Sequence, residues 1–533
     1  LSPAGPWARR LGSRLAPAAA LAVLVLAVHG PTVGFAFVDY DDDDYVWANP
    51  RVLAGFGAGS AGWAFTTFHA SNWHPLTWLS LMADAELFGP GPRGFHRTNL
   101  LLHAANAVLW WLVLWRLTGC RTRSAVVAAL FAVHPLNVQV VAWVSERKEL
   151  LATLFGLCSL IAWAAHSRRR LPAAYAISLA SYACSLLSKP TWVTLPFLLV
   201  LLDAWPRGLR PTARLLAEKV PFLVLSAGAS VAALWAQQAG GTVASVPVAA
   251  RMGTALTSYA VYLKRAFWPA GLACFYPHPG AAPSWAAVAG ALALLVLLTG
   301  GALLLARRHP GVGVGWCWFA GTLVPVIGLV QIGAQRTADR YVYLPLVGLF
   351  VALVWWIGAA ARRGARTRRL LACGAAACIA ALALASRAET LHWRDSASLW
   401  TRAVSVTQDN YLAHNHLGAI LGAGGDLAGA IAHLDRAVAL RPRYAAAHAN
   451  LGRALFLDGR DEDAESHFRA ALALEPRMLS AHVNWGLLLS RQGRWPEAVA
   501  RLEAASEIAP GDAQVRDLLA TARRRLESAR GGP

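Results

Sequence analysis

Apolar stretches close to the ~20 residues a helix needs to cross a bilayer recur from the N-terminus to about Ser386, and none follows. Inside hydrocarbon every backbone N–H and C=O must be paired within the segment, so such a series leaves a polytopic helix bundle as the architecture of the first part of the chain. Composition agrees: 56% of the 533 residues are hydrophobic, 15% are charged and 23 are Trp, an odd balance for a soluble domain. The expected spans are 15–37, 98–117, 124–141, 149–166, 171–187, 191–204, 220–235, 283–306, 311–332, 343–361 and 370–386, about eleven in all.

A formal net charge of +20 would suit a nucleic-acid partner. The arginines are placed otherwise. They cluster between alternate spans, as Arg168 to Arg170, Arg307-Arg308 and Arg362 to Arg369, which is the pattern that sets membrane orientation. No nucleic-acid partner is expected. The pattern puts the N-terminus in the cytoplasm, and an odd span count then puts the C-terminal region outside, on the periplasmic face of the cell (inner) membrane. Arg9, Arg10 and Arg14 precede the first apolar run, which is expected to be a retained helix rather than a cleaved signal peptide. A long outer loop, 37–97, follows it and carries Trp63, Trp73 and Trp78. The segment 251–269, with Lys264 and Arg265 among aromatics, reads as interfacial, and 276–279 as a turn. The seven Cys form no CxxC pair and read as small buried residues, neither a disulfide frame nor a zinc site.

Beyond residue 390 the chain becomes rich in Ala, Arg, Asp, Glu and His and shows a strict period of 34 residues, over 411–444, 445–478 and 479–512. That is the period of tetratricopeptide (TPR) repeats. Equivalent positions hold Leu417/Leu451/Trp485, Gly418/Gly452/Gly486, Ala430/Ala464/Ala498, Leu434/Phe468/Leu502, Ala437/Ala471/Ala505 and Pro442/Pro476/Pro510. Small residues let two helices approach, and the Pro ends the second. A polar capping helix is expected over 513–529. The expected domains are thus a membrane domain, 1–390, and an extracytoplasmic TPR α-solenoid, 391–533, in an all-α chain.

Between Phe35 and Val46 lie five carboxylates, Asp39 and Asp41 to Asp44. Like charges this close raise one another's pKa, which suits a carboxylate to proton abstraction or metal binding; a solvated acidic turn accounts for the run as well. Other polar groups occupy short connections expected on the same side: His74-Pro75, His134-Pro135, Glu146-Arg147-Lys148-Glu149, Ser188-Lys189-Pro190 and Asp339-Arg340. Cations at that level would hold a lipid phosphate. Taken singly, each reads as an interface-anchoring side chain. His74 and His134 could join a carboxylate around a metal.

The ordered set Val38-Asp39-Tyr40-Asp41-Asp42, Trp73-His74-Pro75-Leu76-Thr77, His134-Pro135-Leu136-Asn137, Ser145-Glu146-Arg147-Lys148, Ser188-Lys189-Pro190, Asp339-Arg340-Tyr341 and Trp393-Arg394-Asp395-Ser396, followed by TPRs, resembles the transmembrane-and-TPR protein O-mannosyltransferases of the GT-C glycosyltransferase class and their bacterial TPR relatives. The resemblance implies a GT-C-like membrane domain. It also implies inverting transfer of a sugar, mannose in the family, from a polyprenyl-phosphate carrier to a protein Ser/Thr hydroxyl outside the cytoplasm, with no required cofactor. By the same resemblance Asp41 and Asp42 are the catalytic pair, Asp41 the base. Arg147, Lys189 and Arg340 hold the lipid phosphate, and Asp39, His74, His134, Glu146 and Asp339 are their neighbours. Asn450 and Asn484, equivalent in successive repeats, form rungs of a ladder holding acceptor peptide by its main chain. Ordinary interhelix hydrogen bonding is the other reading of these two. A non-catalytic membrane-anchored TPR scaffold is the alternative function; against it, an anchor needs one span and no ring of polar groups.

Overall fold

The computed structural model describes residues 6–210, 212–241, 247–278, 280–330 and 333–530, with side chains from residue 16 onward. The side chains of Arg9, Arg10 and Arg14, Pro279 of the expected turn and the last two residues of the expected span 311–332 lie outside the described residues. Apart from one antiparallel ribbon, Tyr276–Pro277 against Gln335–Thr337, the described residues form helices and their connections. Two compact units are present, Leu1–Leu399 and Trp400–Pro533, against the expected division at 390/391.

In the first unit each expected span coincides with a helix, but they are unequal. Among the described residues seven are long and apolar enough to cross a membrane: Ala16–Gly34, Pro92–Thr118, Val144–Arg169, Ala213–Ala239, Trp285–Ala306, Pro345–Arg363 and Ala365–Trp393. An eighth is the pair Arg121–Ala132 and Pro135–Ala142, bent by 57°, because Pro135 has no N–H to continue the helix. Pro190–Ala204 and Pro310–Val326 are apolar but shorter, and Pro172–Ser188 has 17 residues. The count of eleven therefore mixes seven or eight full spans with shorter helices. Prolines cause most of the interruptions, each standing at the first turn of the helix that follows.

The segment 251–269 is helix Val248–Phe267, and one face of it, including Ala255, Tyr262, Leu263 and Ala266, joins the main core. The cysteines depart from expectation. Only Cys274 is buried, and Cys373 and Cys378 are exposed on the helix Ala365–Thr390, a candidate span on which lipid rather than protein can cover a thiol.

The second unit is a stack of helix pairs: Tyr411–Ala423 with Leu427–Leu440, Ala445–Leu457 with Asp461–Leu474, and Leu479–Arg491 with Trp495–Ile508, closed by Ala513–Arg530. The repeated small residues have the expected cause. A Cβ on Gly418, Gly452 or Gly486 would stand 2.6–2.8 Å from Leu434, Phe468 or Leu502 of the paired helix. Ala430, Ala464, Ala498, Ala437, Ala471 and Ala505 are fully buried between the helices. The turn inside each pair holds Gly425, Gly459 or Gly493 at φ 73–88°, a backbone state that favours glycine.

Candidate active site

The loop 37–97 is folded, not solvated. Tyr45, Val46, Val52, Ala64, Trp78, Leu81 and Phe95 form their own apolar cluster with Val144. Asp42 fixes the acidic stretch to that cluster. Its carboxylate accepts from Val38 N at 3.0 Å, from Ser145 N at 3.0 Å and from Ser145 Oγ at 2.6 Å. Burial pushes the Asp42 carboxyl up to about 7, opposed by the Ser145 and Val38 donors. With both oxygens taken by the backbone it spans to, Asp42 positions the loop and is not available as a base, contrary to expectation.

Asp41 is different. It is half-buried, and among the described residues its carboxylate accepts no hydrogen bond. Burial pushes it up to about 6, with the charges of Lys148 and Arg340 pulling down and those of Glu146 and Asp44 pushing up. Asp43 is raised mainly by burial, and Asp44 is exposed.

The charges facing Asp41 are organised by Glu146, which is fully buried. Lys189 Nζ lies 2.8 Å from Glu146 Oε2 and 3.1 Å from Glu149 Oε2. Arg340 Nε and Lys148 Nζ lie 3.3 and 3.7 Å from Glu146 Oε1. Lys189 reaches this point because Pro190 forces it into extended backbone, φ −164°, between two helices. Lys148 also donates to Tyr45 Oη at 3.1 Å and lies over that ring at 4.3 Å. Arg340 donates through one arm to Gln335 Oε1 at 3.1 Å and lies 5.3 Å over Trp143, on which Tyr40 stacks at 4.5 Å. Its buried Nη1 has no partner among the described residues, which leaves one guanidinium donor to be satisfied by something else.

The remaining expected site residues separate. Arg147 is fully buried and committed to Asp84 at 2.7 Å, Asn99 at 2.5 Å, Ser80 at 3.0 Å and the Phe95 carbonyl at 2.8 Å. It locks the loop to the bundle and is not a phosphate ligand. His134 donates to the Ala266 carbonyl and accepts from Leu136 N, which fixes a helix break. Asp339 is held by Arg265 at 3.2 Å and by the Tyr276 hydroxyl at 2.9 Å. His74 is buried against Tyr45 and Trp78, with ring centroids 5.4 and 4.9 Å away. Burial first, then Lys148 and Lys189, hold its pKa well below the ordinary value, so it stands neutral beside the cluster, with Nε2 unpartnered among the described residues. Asp39 donates its backbone N–H to Ser396 Oγ at 2.7 Å, Ala36 donates to the Arg394 carbonyl at 3.0 Å, and Trp393 lies 6.0 Å from Trp143. The Trp393–Ser396 motif thus braces the acidic stretch.

In the repeats Asn450 donates to Asn415 Oδ1 at 3.0 Å, one helix pair to the next. Asn484 donates to the Ser480 carbonyl of its own helix at 2.8 Å and lines a cavity of about 490 Å³ with Arg477, Ser480 and Asp512. His416, in line with the two Asn, stacks on Trp400 at 4.3 Å.

Lys148, Glu149, Tyr45 and Trp143 complete the site; the sequence marks Lys148 and Glu149 only as part of a polar connection and assigns none of the four a role. At ~100° per residue positions 146 and 149 share a helix face, which links Glu149 to Glu146; Lys148, Tyr45 and Trp143 carry no such signal, since Glu146 stands in the turn Val144–Glu146 before the helix.

Tetratricopeptide-repeat family descriptions match residues 420–459, 445–478 and 462–522. Among curated proteins, the chain is 34% identical over 171 residues to human protein O-mannosyl-transferase TMTC1, covering 29% of this chain and 19% of that protein. It is 30% identical over 149 residues to Drosophila melanogaster protein O-mannosyl-transferase Tmtc1, 28% and 17% of the two chains, and 31% identical over 201 residues to Drosophila Tmtc2, 35% and 21%. The matched stretches thus span at most 21% of these relatives' lengths. Solved structures similar to it include the first TPR domain of human RPAP3 (20% identity, 23% of this chain and 97% of that one, TM-score 0.22) and the TPR protein YrrB (22% identity, 27% and 75%, TM-score 0.23).

Proposed function

We propose that the chain is an integral membrane glycosyltransferase that moves a sugar from a polyprenyl-phosphate carrier to a hydroxyl of a protein acceptor, mannose being the sugar its relatives' names suggest. The observation that carries this reading is the pairing of a half-buried, hydrogen-bond-free Asp41 with the Lys189–Glu146–Arg340 ion cluster. The acceptor oxygen attacks the anomeric carbon while the bond from that carbon to the phosphate oxygen breaks. The hydroxyl proton passes to Asp41, and polyprenyl phosphate leaves with the electron pair of the broken bond. Displacement in one step inverts the anomeric centre.

Charge counting supports the assignment. Lys148, Lys189 and Arg340 balance Glu146, Glu149 and an ionised Asp41. When Asp41 takes the proton the cluster becomes positive by one, as the departing phosphate goes from a singly charged diester to a doubly charged monoester. The cations then offset charge that develops in the transition state, and the unpartnered Arg340 Nη1 is the donor free to follow it. A proton acceptor at about 6 is half poised near neutral pH. No metal is needed to hold the leaving group in this scheme. The TPR unit presents the acceptor protein, Asn484 lining the cavity where its main chain binds, and it stands outside the cytoplasm.

The test is transfer by purified protein from a labelled polyprenyl-phosphate sugar to a Ser/Thr-containing peptide. Product with inverted linkage, formed in the presence of a chelator, supports the reading. Absence of both transfer and donor binding leaves the TPR scaffold as the function and refutes it.

A further inference from the structure

On the other side of the ribbon from the ion cluster, the helices Val248–Phe267 and Trp285–Ala306 leave an open groove of about 520 Å³ between them. Ala260 and Val261 form one wall, and Ala287, Gly290, Ala291 and Leu294 the other. The small residues keep it wide enough for a hydrocarbon chain. A Cβ built on Gly290 meets nothing within 4 Å.

Arg336 also lines this groove. Its neighbour in the ribbon, Gln335, turns the opposite way toward Arg340, as side chains alternate across a strand. Arg336 donates to Thr257 Oγ1 at 2.9 Å, and its buried Nε has no partner among the described residues. Among the described residues no carboxylate lies within ion-pair reach of it. The adjacent Arg265 takes Asp339 for itself. Burial, and after it the like charge of Arg265, hold Arg336 below the ordinary guanidinium value, with Tyr262 opposing. A partly buried arginine with an enclosed donor calls for an anionic partner, and the described residues provide none.

The groove has a depth as well as a charge. From Ser284, the cap of the Trp285–Ala306 helix, to Leu294 the rise is about 15 Å, half the ~30 Å hydrocarbon core and so the depth of one leaflet. Trp285, 88% exposed at that helix start, is placed as interfacial tryptophans are, which sets the helix start level with lipid phosphates.

We propose that this groove holds one anionic phospholipid of the adjoining leaflet, its phosphate on Arg336 and one acyl chain along Ala287, Gly290, Ala291 and Leu294. Two arginines stand here with a single carboxylate, Asp339, which Arg265 occupies, so a headgroup of net negative charge is matched, while the amine of a zwitterionic headgroup would find no free acid beside Arg336. One-leaflet depth fits an acyl chain and not the longer prenyl chain of a carrier. The site is independent of sugar transfer.

The experiment is native mass spectrometry of the full chain released from bilayer nanodiscs of equal parts phosphatidylglycerol and phosphatidylethanolamine. Wild type should retain one phosphatidylglycerol per chain, preferred about tenfold or more, the range a charge-assisted hydrogen bond supports. Arg336→Gln should abolish the preference. Gly290→Leu, which fills the groove without touching the cation, should abolish retention while size-exclusion behaviour stays that of wild type. Gly290→Leu keeps the test decisive if Arg336→Gln does not fold. Equal retention of both lipids by wild type overturns the proposal, as does undiminished retention by Gly290→Leu. So does displacement of phosphatidylglycerol by equimolar long-chain polyprenyl phosphate, which would make the groove the carrier's.

Discussion

Replacing Asp41 by Asn and, separately, Asp42 by Asn should divide chemistry from folding at adjacent residues. The Asp42 carboxylate receives three donors, one on Oδ2 and two on Oδ1. An Asn amide can keep its oxygen toward Ser145 only by turning its NH2 against Val38 N–H, leaving one buried donor unmatched. Such a loss costs about 1–3 kcal/mol, and the unfolding midpoint should fall accordingly. Asp41 accepts no hydrogen bond among the described residues, so Asp41→Asn orphans nothing and should leave stability within about 0.5 kcal/mol. Its effect falls on rate, by about two to four powers of ten for a lost general base. The pH dependence carries a sign. Asp41 works as the carboxylate and sits at about 6, so kcat/KM should level off above that pH and fall tenfold per unit below it, a limb that Asp41→Asn should lack. Transfer of labelled sugar by purified variants, with thermal melts in detergent, measures both. The assignment is refuted if Asp41→Asn keeps more than about a tenth of wild-type turnover with the acid limb intact. A melt lowered as far as that of Asp42→Asn would refute the structural half.

Arg147→Ala should prevent accumulation of folded protein, because it strands Asp84 in the interior at a cost of about 3–5 kcal/mol; a stable variant with weakened donor binding would return Arg147 to the phosphate site. Arg340→Gln should raise KM for the lipid-linked donor about tenfold to a hundredfold, the worth of a charge-assisted hydrogen bond, and should leave KM for the acceptor peptide unchanged. A periplasm-dependent reporter fused after Gly425 should be active; activity of a cytoplasmic reporter there would mean an even number of crossings, as results if the bent pair at Pro135 crosses and no shorter helix does.

The repeat unit was almost wholly legible, and for a physical reason. Each pair buries its small residues against the same partners 34 positions on, so Gly418, Gly452 and Gly486 repeat in the sequence what Leu434, Phe468 and Leu502 impose in space. The membrane unit was legible in outline only. Hydropathy marks apolar length, but it does not show that Pro135 bends one segment or that 190–204 is too short to span. In the ladder, Asn450 turned out to bond to Asn415, one position off the repeat register, since side chains beside one another in a superhelix need not hold equivalent numbers.

Within the site, the limit is clearest at three residues of identical local type. His74, His134 and Lys189 each precede a proline at the start of a helix. The X-Pro pair fixes a break and keeps the residue out of helical backbone, and that much is written locally. What the side chain then does depends on groups far along the chain. His134 meets a carbonyl 132 residues away, which makes it a brace. His74 meets aromatic rings and two lysines, which makes it a neutral wall. Lys189 meets Glu146, 43 residues away, and through it Arg340. A buried cation is tolerated only where an acid is already present, so the burial of Lys189, Lys148 and Arg340 in one place follows from the burial of Glu146. By the same reasoning Asp41, a carboxylate at their edge that accepts no hydrogen bond among the described residues, is the group left able to change its charge.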